Sequence, residues 1–231
     1  MSELVRFDLV GNVARLHFDD GKANAISLDA LEALNGALDR AEKEAGAVLL
    51  LGRAGRFCAG FHLDTMSQGP EAARGLVAGG ARWLARMADS KLPIVAACGG
   101  HALAMGALLL LGADVRIGAE GDFKIGLNEV AIRMTLPAFA IELAGERLSR
   151  RHLLRATELA EIYSPAAAVD AGYLDRVVPA ERLEAEALAE AARLAELPRR
   201  AFAETKRGMR GALALRIRAG LDENLRTWRV G

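Results

Sequence analysis

The sequence predicts an α/β protein built as a spiral of strand-turn-helix units and completed by a helical C-terminal region. Three observations predict it. Two continuous apolar runs, 48–51 and 94–97, have the length and composition of strands buried on both faces. Each is followed by a glycine-bearing turn and a helix-periodic stretch, and the unit recurs three times by Gly126 with no proline-rich or low-complexity linker between copies. From Pro137 onward the pattern is almost wholly helical.

Segment 5–19 reads as a hairpin, two short strands around Gly11-Asn12 with Leu9, Val13, Leu16 and Phe18 as apolar members. Ser27 can cap the helix that follows, in which Leu28, Leu31, Leu34 and Leu38 recur at helical spacing and which Gly46 stops. After strand 48–51 and its turn, a second helix carries Leu76, Trp83, Leu84 and Met87 on one side and leads to strand 94–97. A third apolar helix, a strand at 114–117 and a short strand at 123–125 complete the repeating part. Helices are then expected over 138–147, 149–159, 165–171, 181–197 and 199–211, with a brief strand at 174–177. This divides the chain into a spiral core, 1–136, and a helical region, 137–231, that closes over the core or over a neighbouring subunit. Leu143, Leu148, Leu153 and Leu154 offer apolar surface for such an assembly.

With 231 residues and 52% hydrophobic content, the chain can fill a sizeable core. Thirty basic residues balance thirty acidic ones, so no global field favours nucleic acid or an anionic membrane. The longest apolar run, around 103–111, is too short to cross a bilayer and is interrupted by Gly106. Only Cys58 and Cys98 occur, both in apolar strand-end segments, and no apolar export signal precedes them. A disulfide framework is therefore not expected, and a reducing cytoplasm is. No His/Cys/Asp cluster has metal-ligand spacing, no Ser/His/Asp order is evident, and no Gly-x-Gly-x-x-Gly opens a helix after a strand.

The informative segments are Arg56-Phe57-Cys58-Ala59-Gly60-Phe61-His62-Leu63 and Gly100-His101-Ala102-Leu103-Ala104-Met105-Gly106-Ala107-Leu108. Each places a small-residue turn at the end of an apolar strand, where backbone N–H groups can point into a cavity. Two such groups from separate segments, aimed at one carbonyl oxygen, make an oxyanion hole. Met105 falls at the start of an apolar helix, so its N–H has no intrahelical partner and the helix dipole there favours negative charge. The bland alternative is that Gly60 and Gly106 serve packing alone. Glu129, in Phe123-Lys124-Ile125-Gly126-Leu127-Asn128-Glu129-Val130, is the best candidate for proton transfer. Bordered by Leu127, Val130 and Ile132 it would be partly desolvated, with a raised pKa. The alternative is an exposed loop carboxylate.

These segments, with Lys22-Ala23-Asn24-Ala25 and Ala171-Gly172-Tyr173-Leu174-Asp175, make the chain resemble the enoyl-CoA hydratase/isomerase family, the crotonase superfamily, over essentially its whole length. The resemblance implies a crotonase-like spiral of ββα units, trimers or dimers of trimers, and chemistry through a thioester enolate. It implies that the N–H groups of Phe61 and Met105 hold the thioester carbonyl of an acyl-CoA and that Glu129 is catalytic. Lys22, Ala23, Ala59 and Phe61 would contact the coenzyme A part of the substrate. Lys206, with Arg207, would reach it from the C-terminal helix. Coenzyme A enters as part of the substrate, and no further cofactor is expected. For any single one of Arg199, Arg200, Lys206, Arg207 and Arg210, a solvated helix face is the plainer reading.

Hydratases of this family usually carry a second glutamate where this chain has Leu108. Leucine cannot activate water, so a one-base proton shuttle between two carbons is easier to write here than hydration. The expected function is hydration or isomerisation of an enoyl-CoA. The alternatives are other enolate chemistry, thioester hydrolysis, or a catalytically silent acyl-CoA- or RNA-binding protein, although the balanced charge speaks against RNA. His62 is read as a surface or helix-start residue that could approach the acyl group, Asp64 as a solvated first-turn carboxylate that could take up acid-base work if the helix opens toward the pocket, Arg133 as a residue that can pair with Glu129 or narrow the pocket, and His101 as strand-end packing.

Overall fold

The computed structural model describes residues 4–219 together with Leu221, Leu225 and Trp228. Strands β1 (Val5–Val10) and β2 (Val13–Phe18) form the expected hairpin, with Val10 opposite Val13 and Gly11 turning the chain at φ 57°. A two-residue strand, β3 (Ala25–Ile26), precedes helix α1 (Leu28–Glu44). The Ser27 hydroxyl caps α1 by accepting from the Ala30 amide at 3.1 Å, and Leu31, Leu34 and Leu38 are buried while Leu28 faces solvent.

The next stretch contains more strand than the apolar runs reveal. After β4 (Ala47–Leu51) come β5 (Gly55–Cys58) and β6 (Gly60–Phe61), then helices α2 (Leu63–Ser67) and α3 (Pro70–Asp89). After β7 (Ile94–Cys98) comes β8 (Gly100–Leu103), which feeds α4 (Met105–Gly112). After β9 (Val115–Ala119) comes β10 (Ile125–Gly126). Each long strand is thus followed by a short one in a second layer: β10, β8 and β5 form a parallel three-stranded sheet, and β3 pairs with β6. Strands this short have little room for a two-residue period, which is why the sequence shows β5, β6 and β8 only as turns, while β10 falls at the end of the short strand expected over 123–125.

Beyond Pro137 the chain forms α5 (Ala138–Arg147), α6 (Leu153–Thr157), α7 (Pro165–Ala171), β11 (Arg176–Val178), α8 (Leu183–Ala195) and α9 (Arg199–Ala219). The helix expected over 149–159 shrinks to α6 because the Ser149 amide donates to Ala171 O and holds the preceding residues in a turn. The last helix runs beyond residue 211, since Leu213, Ala214 and Ile217 bury against the core.

The main sheet has the order β1-β2-β4-β7-β9-β11, antiparallel only at the hairpin. Its side chains alternate between two apolar layers. Val48, Leu50, Ile94 and Ala96 join the core against α1, α3 and α4, whereas Leu49, Leu51, Val95 and Ala97 meet Leu183, Ala187, Ala191 and Leu194 of α8. The region after 137 therefore supplies the sixth strand and one covering layer, and α9 packs on α3, so packing runs on across residue 136. Leu143 and Leu148, expected as assembly surface, are used inside the subunit, Leu153 is partly covered, and Leu154 is 60% exposed. Among the described residues no helix is long and apolar enough to cross a membrane.

Successive turns of the spiral stack backbone on backbone at glycine. A β-carbon at Gly100 would overlap the Gly55 carbonyl, and one at Gly106 would overlap the carbonyl oxygen of Cys58. Gly106→Ala is therefore expected to wedge α4 away from β5 and to destabilise by about 1–3 kcal/mol, read as a lower urea midpoint with unchanged slope; a stability equal to wild type would contradict this packing.

Candidate active site

The segment between β2 and β3 is organised by two polar side chains. The Asp20 carboxylate accepts from the amides of Lys22, Asn24 and Ala25 at 2.7–2.8 Å. Those bonds, with Arg53 nearby, hold its pKa below the usual carboxylate value despite burial. Fully buried Asn24, at φ 56°, donates its side-chain amide to Phe18 O at 2.8 Å and lies 3.3 Å from both Arg56 O and Phe57 O, tying this loop to β5. The loop therefore presents Lys22 to solvent and Ala23 to the cavity.

Phe61 ends β6, opposite Ile26. The amides on either side are engaged, Ala59 N–H with Asn24 O and His62 N–H with Ile26 O. The Phe61 ring fills the space left by Gly80 of α3, where a β-carbon would stand 2.6 Å from its Cζ. Met105, wholly buried, is the first residue of α4, and Ala104 before it adopts φ 50°. A β-carbon built on Gly60 would lie 3.1 Å from Ala104 Cβ and 3.8 Å from the Met105 amide nitrogen, so β6 and the start of α4 approach closely at this glycine.

Glu129 follows β10, whose Gly126 carbonyl accepts from the Ala104 amide at 3.0 Å and so fixes this loop to the start of α4. The Glu129 carbonyl accepts from Ile132 and Met134, closing a short 3-10 turn. Its side chain is 7% exposed, and Oε2 has no hydrogen-bond partner. Burial raises its pKa to about 7, opposed only by its own backbone amide. Of the neighbours expected to desolvate it, Leu127 is buried, but Val130 and Ile132 are about half exposed, so the shielding comes from the fold around the turn.

A cavity of about 700 Å³ joins these parts. Asp20, Lys22, Ala23 and Ala59 line it together with Phe61, Ala104, Asn128 and Glu129. Met66, Val77, Met134, Pro137 and Trp228 make an apolar wall. His62 and Asp64 also reach the cavity, His62 at the start of α2 with Nδ1 3.2 Å from Thr65 Oγ1, and Asp64 well exposed.

The residues 9–229 match the family model described as enoyl-CoA hydratase/isomerase. The chain belongs to the enoyl-CoA hydratase/isomerase family. An enoyl-CoA hydratase/isomerase family protein from Pseudomonas syringae superposes with a TM-score of 0.96 at 42% identity, covering 99% of both chains. The enoyl-CoA isomerase of Mycobacterium tuberculosis gives 0.93 at 35% identity, over 98% of this chain and all of its own. Human mitochondrial enoyl-CoA delta isomerase 1 is 30% identical over 97% of this chain and 76% of its own length.

Within this family member, Lys206 is not part of the cavity wall. Nearly buried, its Nζ donates to Asp114 Oδ2 at 2.6 Å, and burial lowers its pKa. It anchors α9 to the start of β9, a role the sequence hid because its partner lies 92 positions away. Among the described residues Arg133 makes no ion pair with Glu129. Leu108 is buried in α4 and does not line the cavity. His101 packs edge-on against Phe123 and accepts from the Lys124 amide, as a strand-end residue does. Asp20, Asn24, Asn128 and Trp228 were not singled out from sequence. The short-range pattern of an acid followed four residues later by asparagine was the one available signal, for the first two.

The unfolded chain ionises Glu129 near 4.5, the folded chain near 7. Between those values the folded state keeps a proton that the unfolded state has lost, so its contribution to stability falls as pH rises across that interval. Glu129→Gln is expected to be more stable than wild type, by about 1–3 kcal/mol more at pH 8 than at pH 5. Urea denaturation at the two pH values checks this; a pH-independent difference would mean that Glu129 is not desolvated.

Proposed function

We propose that this protein isomerises the double bond of an enoyl-CoA thioester, with Glu129 as the single proton carrier. The observation that carries the reading is one buried carboxylate, its pKa raised to about 7 by burial, on the wall of a mostly apolar cavity and beside the N-terminus of α4. The other acids there suit the task poorly: Asp20 is committed to three backbone amides, and Asp64 is solvated.

In this reading the thioester oxygen of a 3-enoyl-CoA accepts from the N–H groups of Phe61 and Met105. The Glu129 carboxylate removes a proton from C2, and the electron pair spreads over the dienolate, with negative charge on the thioester oxygen where the two amides and the α4 dipole stabilise it. Glu129 then returns the proton to C4. The product is the conjugated 2-enoyl thioester, mass is conserved, and the base is regenerated. A pKa near neutrality lets one group act in both directions. Lys22, exposed at the cavity mouth, meets the phosphates of coenzyme A, while Ala23 and Ala59 allow the pantetheine chain close approach. Two buried free thiols, each pushed up to about 12 by burial, support a reducing compartment such as the cytoplasm. Assembly as a homotrimer or hexamer is supported by exposed Ile141, Leu154 and Leu159 on and beside α5 and α6.

Incubation with 3-enoyl-CoA is expected to yield a conjugated product of unchanged mass. A gain of water would indicate hydration, free thiol would indicate hydrolysis, and binding without turnover a silent protein. Glu129→Gln is expected to lower kcat by at least about a hundredfold with acyl-CoA affinity nearly kept. Met105→Pro, which removes one donor at a helix position that tolerates proline, is expected to cost about 3 kcal/mol in kcat/KM. Undiminished turnover in Glu129→Gln would overturn the assignment.

A further inference from the structure

Trp228 lies far along the chain from every motif that identifies the site, yet it lines the same cavity as Glu129. It is 7% exposed, and its indole Nε1 donates to the backbone carbonyl of Thr135 at 2.7 Å. Thr135 belongs to the loop that leaves Glu129, passes through Ile132 and Met134, and enters α5 at Pro137. Of that loop, Ile132, Met134 and Pro137 line the cavity too. Met66 of α2 and Val77 of α3 line the same cavity. None of Met66, Val77, Met134, Pro137 and Trp228 carries a charge, whereas Lys22 and Asp20 line a part built from the loop between β2 and β3. A substrate with its reacting carbons at Glu129 therefore shares the cavity with five apolar side chains that can form a compartment for its acyl chain. The bulkiest side chain of that compartment is fastened to the wall by a hydrogen bond, so it yields to a longer chain only by breaking that bond.

We propose that Trp228 is the end wall of the acyl compartment and sets the longest unbranched acyl chain that this protein accepts. The inference rests on the acyl-CoA reading above and adds a limit on the substrate. The residue acts by excluding methylenes, and a hydrophobic pocket discriminates one methylene by about tenfold or more.

The test is the ratio of kcat/KM for 3-dodecenoyl-CoA to that for 3-hexenoyl-CoA, measured on one preparation so that the fraction of folded protein cancels. Wild type favours the shorter substrate. Trp228→Ala is expected to raise the ratio by about tenfold or more, Trp228→Leu by less, and Trp228→Phe least. A ratio within about twofold of wild type in both Trp228→Ala and Trp228→Leu overturns the proposal, whatever the absolute rates. If wild type isomerises no enoyl-CoA, the proposed reaction fails by itself. The wall is then read from the affinities of saturated hexanoyl- and lauroyl-CoA, whose ratio must shift in the same order. Binding of neither ester removes both readings.

Discussion

The first turn of α4 rests on the backbone of Cys58, so closely that Gly106 has no space for a β-carbon. The rest of the site depends on this contact. Because the helix starts against strands β5 and β6, its first residue Met105 lies beside Gly60, more than forty positions earlier in the chain. The third turn of the spiral is attached to the same point, since the Gly126 carbonyl accepts from the Ala104 amide and leads directly to Glu129. Backbone stacking at small residues thus brings the start of α4, strand β6 and the Glu129 loop together from three successive turns.

The far end of α4 is held by charge. The Gly112 and Ala113 carbonyls, at the helix C-terminus, accept from Arg210 and Arg147. Asp114, next along, receives Lys206, Arg210 and the Ile94 amide. Cations at a helix C-terminus complement its dipole, leaving the opposite, donor-rich end for the cavity. Breaking one partner of such a buried set would leave the other uncompensated, which explains why Lys206 is committed to Asp114 and is not available to a ligand.

Among the described residues, non-glycine residues with positive φ gather near the cavity: Asn24, Ala104 and Arg133, with Ala160 the other. Each sits where the chain must reverse within one or two residues, beside Ala23, Met105 or Met134. Strain of this kind persists only where surrounding bonds over-determine it, and at Asn24 those bonds are visible on both the backbone and the side chain. The desolvated Glu129 is a cost of the same type. Burial without a partner for Oε2 raises its pKa to about 7, so local stability falls as pH rises from about 4.5 to that value.

The sequence by itself determined the long strands, most of the helices and the family. Runs such as 48–51 and 94–97 are apolar because both faces are covered, and a continuous apolar run carries that signal locally. Ser27 and Gly106 were legible for the same reason, since capping and small-residue turns are short-range chemistry. The family motifs pointed to Phe61, Met105 and Glu129, although what holds these three next to one another lies in the glycine stacking. Only the tertiary structure decided the rest. The short strands β5, β6 and β8 exist through pairing with strands distant in the chain. Leu143 and Leu148 carry the same chemistry whether they face a neighbour or the core, and the packing of α5 sends them inward. A lysine likewise reads as a solvated cation until its partner is known, and Asp114 makes Lys206 structural. Trp228 was invisible as a site residue because its place on the cavity wall depends on the chain returning to Thr135, a contact that no local pattern encodes.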